Sequence, residues 1–177
     1  KDEKNMVLLG FVGFLDPPKE SAKIAIQRLN ESGIRVIVLT GDNAEVTRCI
    51  CNKVGINSDK IILGSQINKL QDIGVKRLLK KHNIFAKLSP IQKSRIVRLL
   101  KEMNNVVGYM GDGINDSPSL INSDVGISVD TAVDIAKESA DIILLEKDLN
   151  VLLDGVTEGR RTFANLMKYI KMAVSFN

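Results

Sequence analysis

With 177 residues, 44% of them apolar and 26% charged, the chain has the size and composition of one globular domain, not of a disordered or fibrous protein. Its 25 basic and 21 acidic residues leave a net charge of +4, too little to select a partner by itself. The longest uncharged stretch, Asn5 to Leu15, is eleven residues, well short of the ~20 that a membrane helix needs.

The chain opens with Lys1-Asp2-Glu3-Lys4, which does not read as a secretory signal. Met6 to Leu15 is apolar and predicts a first strand, ended by Asp16-Pro17-Pro18. The prolines open a helix with Ala22, Ala25, Ile26 and Leu29 on one face, stopped by Gly33. Ile34 to Leu39 has the continuous apolar character of a buried strand. The next helix carries Val46, Ile50 and Val54 at spacing four and ends at Gly55. It also holds Cys49 and Cys51, the only cysteines. Two residues apart on a helix, they point ~200° away from each other and form neither a disulfide framework nor a metal quartet, as expected in a reducing cytosol.

A short strand at Ile61–Leu63 and a helical pattern to about Lys81 follow, then a strand at Ile84–Ala86. Ser89-Pro90 reads as an N-cap with proline at the first helical position of a helix running to about Met103. Val106–Met110, Val125–Val129 and Ile142–Leu145 predict further buried strands with helices between them, and from Leu149 a helical pattern runs on. This alternation predicts an α/β fold, a three-layer, mostly parallel Rossmann-like sheet with helices on both faces. In such sheets ligands sit beyond the carboxyl ends of the strands.

Those ends carry polar clusters. Thr40, Gly41 and Asp42 follow the second strand, and Gly111-Asp112-Gly113-Ile114-Asn115-Asp116 follows the Val106–Met110 strand. Gly-Asp pairs are also plain turn formers, but two acids four residues apart around two glycines exceed what a turn requires. Asp42, Asp112 and Asp116 converging at one sheet edge would repel unless they shared a cation. Mg²⁺, which prefers hard oxygen ligands, suits them. Thr40 and the amides around Gly41 and Gly113 could cradle a phosphoryl group. Lys93, in the first turn after Ser89-Pro90, could hold phosphate as a point charge.

Charge is unevenly spread. Nine Lys and Arg residues and no acid fall between Lys76 and Lys101, so the remainder is net acidic. Such a block can face nucleic acid. Here Leu78, Leu79, Ile96, Val97 and Leu100 supply core stripes between the charges, which predicts solvated helix faces instead. Phe85 is the only aromatic residue in the block, so stacking on bases is unsupported and no nucleic-acid partner is expected. His82, among lysines, is expected to be a solvated surface residue.

Taken in order, Asp16-Pro17-Pro18, Thr40-Gly41-Asp42, the run Phe85-Ala86-Lys87-Leu88-Ser89-Pro90-Ile91-Gln92-Lys93 and Gly111–Asp116 resemble the successive signatures of the phosphorylation domain of P-type cation-transporting ATPases, within the haloacid dehalogenase superfamily. The stretch from Gly126 to Asp130, continuing through Asp134–Asp141 to Glu146, is most similar to the magnesium-transporting subclass. The resemblance implies a full pump that transfers the γ-phosphoryl of ATP to an aspartate and hydrolyses the aspartyl-phosphate. Asp112 would be a direct Mg²⁺ ligand, with Asp116 at the same site, and Lys93 would neutralise phosphate. Thr40, Gly41, Asp42 and Asn115 would contact the phosphoryl group or nucleotide, and Asp16 would lie near the nucleotide. Lys87 occupies a position where relatives often carry arginine, and lysine forgoes the bidentate phosphate contact. Ser117 and Ser119 stand where relatives commonly have alanine.

The family's phosphorylated aspartate lies in an Asp-Lys-Thr-Gly-Thr run that this sequence lacks. The expectation is therefore a fragment, with residues 1–158 a portion of the phosphorylation domain and 159–177 a stalk helix with Phe163, Leu166, Met167 and Ile170 along one face. Its partners would be the nucleotide-binding, actuator and membrane domains of the same polypeptide, at the cytoplasmic face of the cell membrane. Loss of a mid-sheet strand would favour self-association. Two other readings compete. A free-standing phosphatase of the same superfamily needs an Asp-x-Asp nucleophile, which Asp16-Pro17-Pro18 does not supply. A nucleic-acid-binding module would leave the phosphate-site constellation unexplained.

Overall fold

The computed structural model describes residues 17–175 together with Val7, Leu9 and Gly10. Most of the expected Met6–Leu15 strand, and Asp16, lie outside the described residues. Elements alternate as the apolar pattern requires. They run α1 (Glu20–Glu31), β1 (Val38–Leu39), α2 (Ala44–Lys53), β2 (Ile62–Leu63), α3 (Gly64–Asn68), α4 (Asp72–Lys81) and β3 (Ile84–Ala86). The second half continues with α5 (Pro90–Glu102), β4 (Gly108–Met110), a 3₁₀ turn at Ile114–Asp116, α6 (Ser117–Asn122), β5 (Val125–Val129), α7 (Asp134–Glu138), β6 (Ile142–Leu144) and α8 (Leu149–Ser175).

Every strand pairing is parallel, in two three-stranded sheets of order β1-β3-β2 and β4-β5-β6. Leu39 lies opposite Phe85 and Ala86 opposite Leu63; Met110 lies opposite Ile127 and Val129 opposite Leu144. The sheet is thus split in two among the described residues, with β1 and β4 each paired on one side only. Two cores correspond to the two sheets. Phe85, Ile62, Ile67, Val75, Leu79, Ile96 and Leu99 fill the first, and Leu120, Ile127, Val129, Ala136 and Leu144 fill the second. Leu39 of β1 and Val107, just before β4, pack against both. Helix α5 also serves both, burying Ile96 and Leu99 in the first core and Val97 in the second.

The helical pattern expected to run unbroken to Lys81 is two helices, interrupted at residues 69–71. The break is stabilised from outside. Arg95 donates to the carbonyls of Ile67 (3.3 Å) and Leu70 (2.9 Å), satisfying groups that a helix end leaves orphaned, and to Asp72 in the first turn of α4 (2.6 Å). The basic block is largely neutralised in the same way. Arg95 and Arg98 share Asp72, Lys76 and Arg98 share Glu102, Lys101 meets Asp124 and Lys93 meets Asp116. Apart from Lys93–Asp116, these are partly exposed helix-face ion pairs, in keeping with the core stripes. His82 is half-buried, and that desolvation, with Lys60, Lys81 and Arg35 nearby, lowers its pKa.

α1 lies against the first half of α8 and is tied to it near both ends. Ser21 donates to Asp148 (2.9 Å), and Arg160 donates to the Ser32 carbonyl (2.8 Å). Beyond that support Phe163, Leu166, Tyr169, Ile170, Met172 and Val174 are exposed. Among the described residues no helix is long and apolar enough to cross a membrane.

Candidate functional site

The Thr40–Asp42 loop leaves β1 and is laid along the exit of β3. Thr40 N donates to Phe85 O (3.0 Å), Leu88 N to Thr40 O (3.0 Å) and Lys87 N to Asp42 O (2.8 Å). The Thr40 hydroxyl donates to Asp42 Oδ2 (2.8 Å) and accepts from the Asp42 amide (3.1 Å). Accommodating this ladder puts Lys87 at φ 51°, in the left-handed region that a lysine rarely adopts. Asn43 then caps α2 by accepting from Val46 N (2.8 Å).

Immediately after Lys87-Leu88, Ser89 and Gln92 form a capping box that starts α5. Gln92 also donates to Gly64 O (2.8 Å) and Asn68 (2.6 Å), so the helix start is fixed to the β2–α3 corner. That anchoring aims Lys93 across to the second sheet, where its ammonium meets Asp116 Oδ1 at 2.8 Å. Tyr109 of β4 donates its phenol to the same oxygen at 2.7 Å. Lys93 and Asp116 are only 13% and 14% exposed, so this pair is held out of water. Burial first, and the Asp116 carboxylate second, push the Tyr109 phenol well above its usual range.

The Gly111–Asp116 turn is shaped from behind. Gly111 N donates to Ile127 O (3.1 Å), the fully buried Ser128 donates its hydroxyl to Gly111 O (2.9 Å), and Val133 N donates to Asp112 O (3.2 Å). A Cβ on residue 111 would lie 2.5 Å from Asp116 Cβ, so only glycine lets the turn close. Asp112 faces a cavity of about 310 Å³ lined also by Met110, Val129 and Lys147. Lys147, between β6 and α8, donates to Asp112 Oδ2 at 2.7 Å. Asn115 is exposed.

The structure therefore brings together Thr40, Gly41, Asp42 and Lys87 in one cluster, and Lys93, Asp112 and Asp116 in another, with α5 as the link. Among the described residues no hydrogen bond or ion pair runs directly between the clusters. Nor does any group of three or more His, Cys, Asp or Glu side chains there suit a metal ion. The donor set on the second sheet is two carboxylates, each already facing an ammonium. Hard carboxylate oxygens are the ligand type Mg²⁺ prefers, and the facing ammonium groups would compete with it. Sequence reasoning missed Tyr109 and Lys147. Both had a signal, because each lies at or beside the carboxyl end of a predicted strand, the same rule that singled out Asp112.

A family model described as haloacid dehalogenase-like hydrolase matches residues 2–124. The magnesium-transporting P-type ATPase 1 of Escherichia coli K12 is 53% identical over 99% of this chain. An endoplasmic reticulum calcium ATPase of Aspergillus fumigatus is 34% identical, also over 99%. The chain spans 20% of the former and 19% of the latter. Among solved structures, a zinc-transporting PIB-type ATPase in the E2·Pi state superposes with a TM-score of 0.68 at 27% identity, covering 86% of this chain and 21% of that one. The catalytic domain of the CPx-ATPase CopB-B covers 79% of this chain and 45% of its own, with a TM-score of 0.58. The fold, the Asp112–Asp116 turn and these matches agree, and the chain belongs to the haloacid dehalogenase-like hydrolases.

Proposed function

We propose that this chain is the metal- and phosphate-handling part of the phosphorylation domain of an ATP-driven magnesium transporter. The observation that carries the reading is the approach of Lys93 to Asp116 across the two sheets, in a sequence 53% identical along almost its whole length to a magnesium-transporting P-type ATPase. Residues 1–158 would form the domain portion and 159–177 the stalk. The remaining four fifths of such a relative leaves room for nucleotide-binding, actuator and membrane domains of the same polypeptide, with this part on the cytoplasmic face of the membrane. A free-standing phosphatase is not favoured by relatives of this kind.

In that mechanism Asp112 and Asp116 would hold Mg²⁺, which would supply positive charge against the phosphoryl oxygens. Lys93 supplies a fixed positive charge at the phosphate, already positioned by the capping box and therefore needing no reorganisation. The Thr40 hydroxyl, which donates its one proton to Asp42 at 2.8 Å, would turn that proton to a phosphoryl oxygen beside the Gly41 amide, while the bond it accepts from the Asp42 amide at 3.1 Å keeps it in place. Asn115 adds a polar contact on the same rim. By the family resemblance Lys87 and Asp16 would serve the nucleotide, with ATP as substrate. Titrating the ¹⁵N-labelled chain with MgCl₂ tests the metal half. Weak, millimolar-range shifts centred on Gly111–Asp116 are expected, and Asp112→Asn should abolish them. Shifts elsewhere with that turn unmoved would sink the reading.

A further inference from the structure

Asp116 and Asp112 are compensated in different ways. Asp116 is enclosed, with Lys93 and Tyr109 on one oxygen. Asp112 is open: it and Lys147 are 52% and 59% exposed, and they meet at the cavity wall. The backbone that carries Lys147 is nevertheless tied down. Its carbonyl accepts a hydrogen bond from Lys19. The adjacent Asp148 accepts from Asn150 N at 2.8 Å, capping α8, and from Ser21 at 2.9 Å. The loop is thus fixed on both sides, which keeps the Lys147 backbone beside the Asp112 carboxylate that its ammonium meets.

The geometry points to Lys147 as a tethered counter-cation of Asp112 that a divalent cation displaces on binding, an inference that rests on the metal role proposed for Asp112. An ammonium 2.7 Å from Asp112 Oδ2 and a Mg²⁺ bound to the same carboxylate would be like charges in close contact, so each weakens the other's hold on it. The chain's own cation therefore sets the concentration at which Mg²⁺ occupies the edge. It also sets where occupancy is felt, because the displaced side chain belongs to the loop that starts α8. Lys93 cannot serve in the same way, since its ammonium is enclosed with Asp116 and Tyr109.

The test is an NMR titration of the ¹⁵N,¹³C-labelled chain with MgCl₂, following the Gly111–Asp116 amides and the Lys147 side-chain methylenes. Exposed ion pairs are weak, so Lys147→Gln should tighten apparent Mg²⁺ affinity by about 2–5-fold. Lys147→Arg should stay within about 2-fold of the parent chain. Lys137→Gln removes the same charge from α7, where Lys137 pairs with Asp134, and should change affinity by less than about 1.5-fold. In the parent chain the Lys147 methylenes should shift with the same midpoint as the Asp112 amide. Unchanged affinity in Lys147→Gln, stationary Lys147 signals, or equal tightening in Lys137→Gln would overturn the displacement while leaving Asp112 as a metal ligand. If no variant shows any shift at Gly111–Asp116, both the displacement and the metal site are wrong.

Discussion

Lys87 holds a left-handed backbone at φ 51° because its amide and the next one are committed to the Thr40–Asp42 loop. A side chain there costs about 1 kcal/mol relative to glycine. Lys87→Gly should therefore raise stability by up to ~1 kcal/mol in urea unfolding, while Lys87→Ala should leave it unchanged. Gly111 is the opposite case. Gly111→Ala places a Cβ 2.5 Å from Asp116 Cβ and should cost about 1–3 kcal/mol, with loss of the Mg²⁺-dependent shifts. On the role proposed for Lys93, Lys93→Ala in the full-length protein should slow phosphoenzyme formation by about 10²–10³. Nucleotide affinity should change far less, and near-normal phosphorylation would reduce Lys93 to a structural partner of Asp116. Tyr109 gives a pH signature. Its phenol stays protonated in the fold at pH values where the unfolded chain, with an ordinary value near 10, ionises. A raised folded value means that the stabilisation is fully present below pH ~10 and falls as pH rises above it. Tyr109→Phe should show a smaller loss of stability between pH 9 and 11 than the parent chain.

Among the elements, Asp72 fastens α4 to α5 by receiving Arg95 and Arg98, and Arg95 carries the link on to the Ile67 carbonyl of α3. Those guanidinium groups hold the Asp72 carboxyl below the usual range. The lowered value makes this contribution present above the unfolded carboxyl range, and lost as pH falls through it. Asp72→Asn should flatten the decline of the urea midpoint between pH 5 and 3. The interruption between α3 and α4 was not legible in the sequence, because it depends on Arg95, 24 residues beyond its far end, filling the vacant carbonyls. Strands β3 and β5 were legible to the residue, being short apolar runs with no competing local bond. β1 is shorter than its apolar run because Ile34 N donates to Leu29 O at 2.9 Å, closing α1. β4 starts late because Val107 N is taken by Asp124 Oδ2 at 2.9 Å. The site divides similarly. Its acids, glycines and Lys93 could be read from strand-end position, whereas the pairings through Tyr109 and Lys147 needed the tertiary register of β4, β6 and α5.

At the scale of the molecule, the described residues divide into two sheets with β1 and β4 as outer strands, and Leu39 of β1 and Val107, just before β4, already touch both cores. Unpaired edges facing a common core recruit strands. The isolated chain should therefore show concentration-dependent association in analytical ultracentrifugation, and a synthetic strand carrying an Asp-Lys-Thr-Gly-Thr run should suppress it. Without an in-line acceptor, positioned groups transfer nothing, so γ-³²P-ATP should leave the chain unlabelled. An acid-stable, hydroxylamine-sensitive label on Asp16 would instead favour a free-standing phosphatase.

The two ties between α1 and α8 have a mechanical meaning. Ser21–Asp148 and Arg160–Ser32 clamp the first dozen residues of α8 to a second rod, and a clamped pair of helices bends far less than either alone. The remainder, from residue 161 to Ser175, projects as a cantilever of ~22 Å at 1.5 Å per residue. A tilt of about 10° at the clamp carries its tip ~4 Å sideways. The proposed metal edge meets α8 at the start of the clamped segment, through Lys147 and Asp148, so a rocking of the whole clamp, rather than a bend within it, would emerge amplified at the arm's far end.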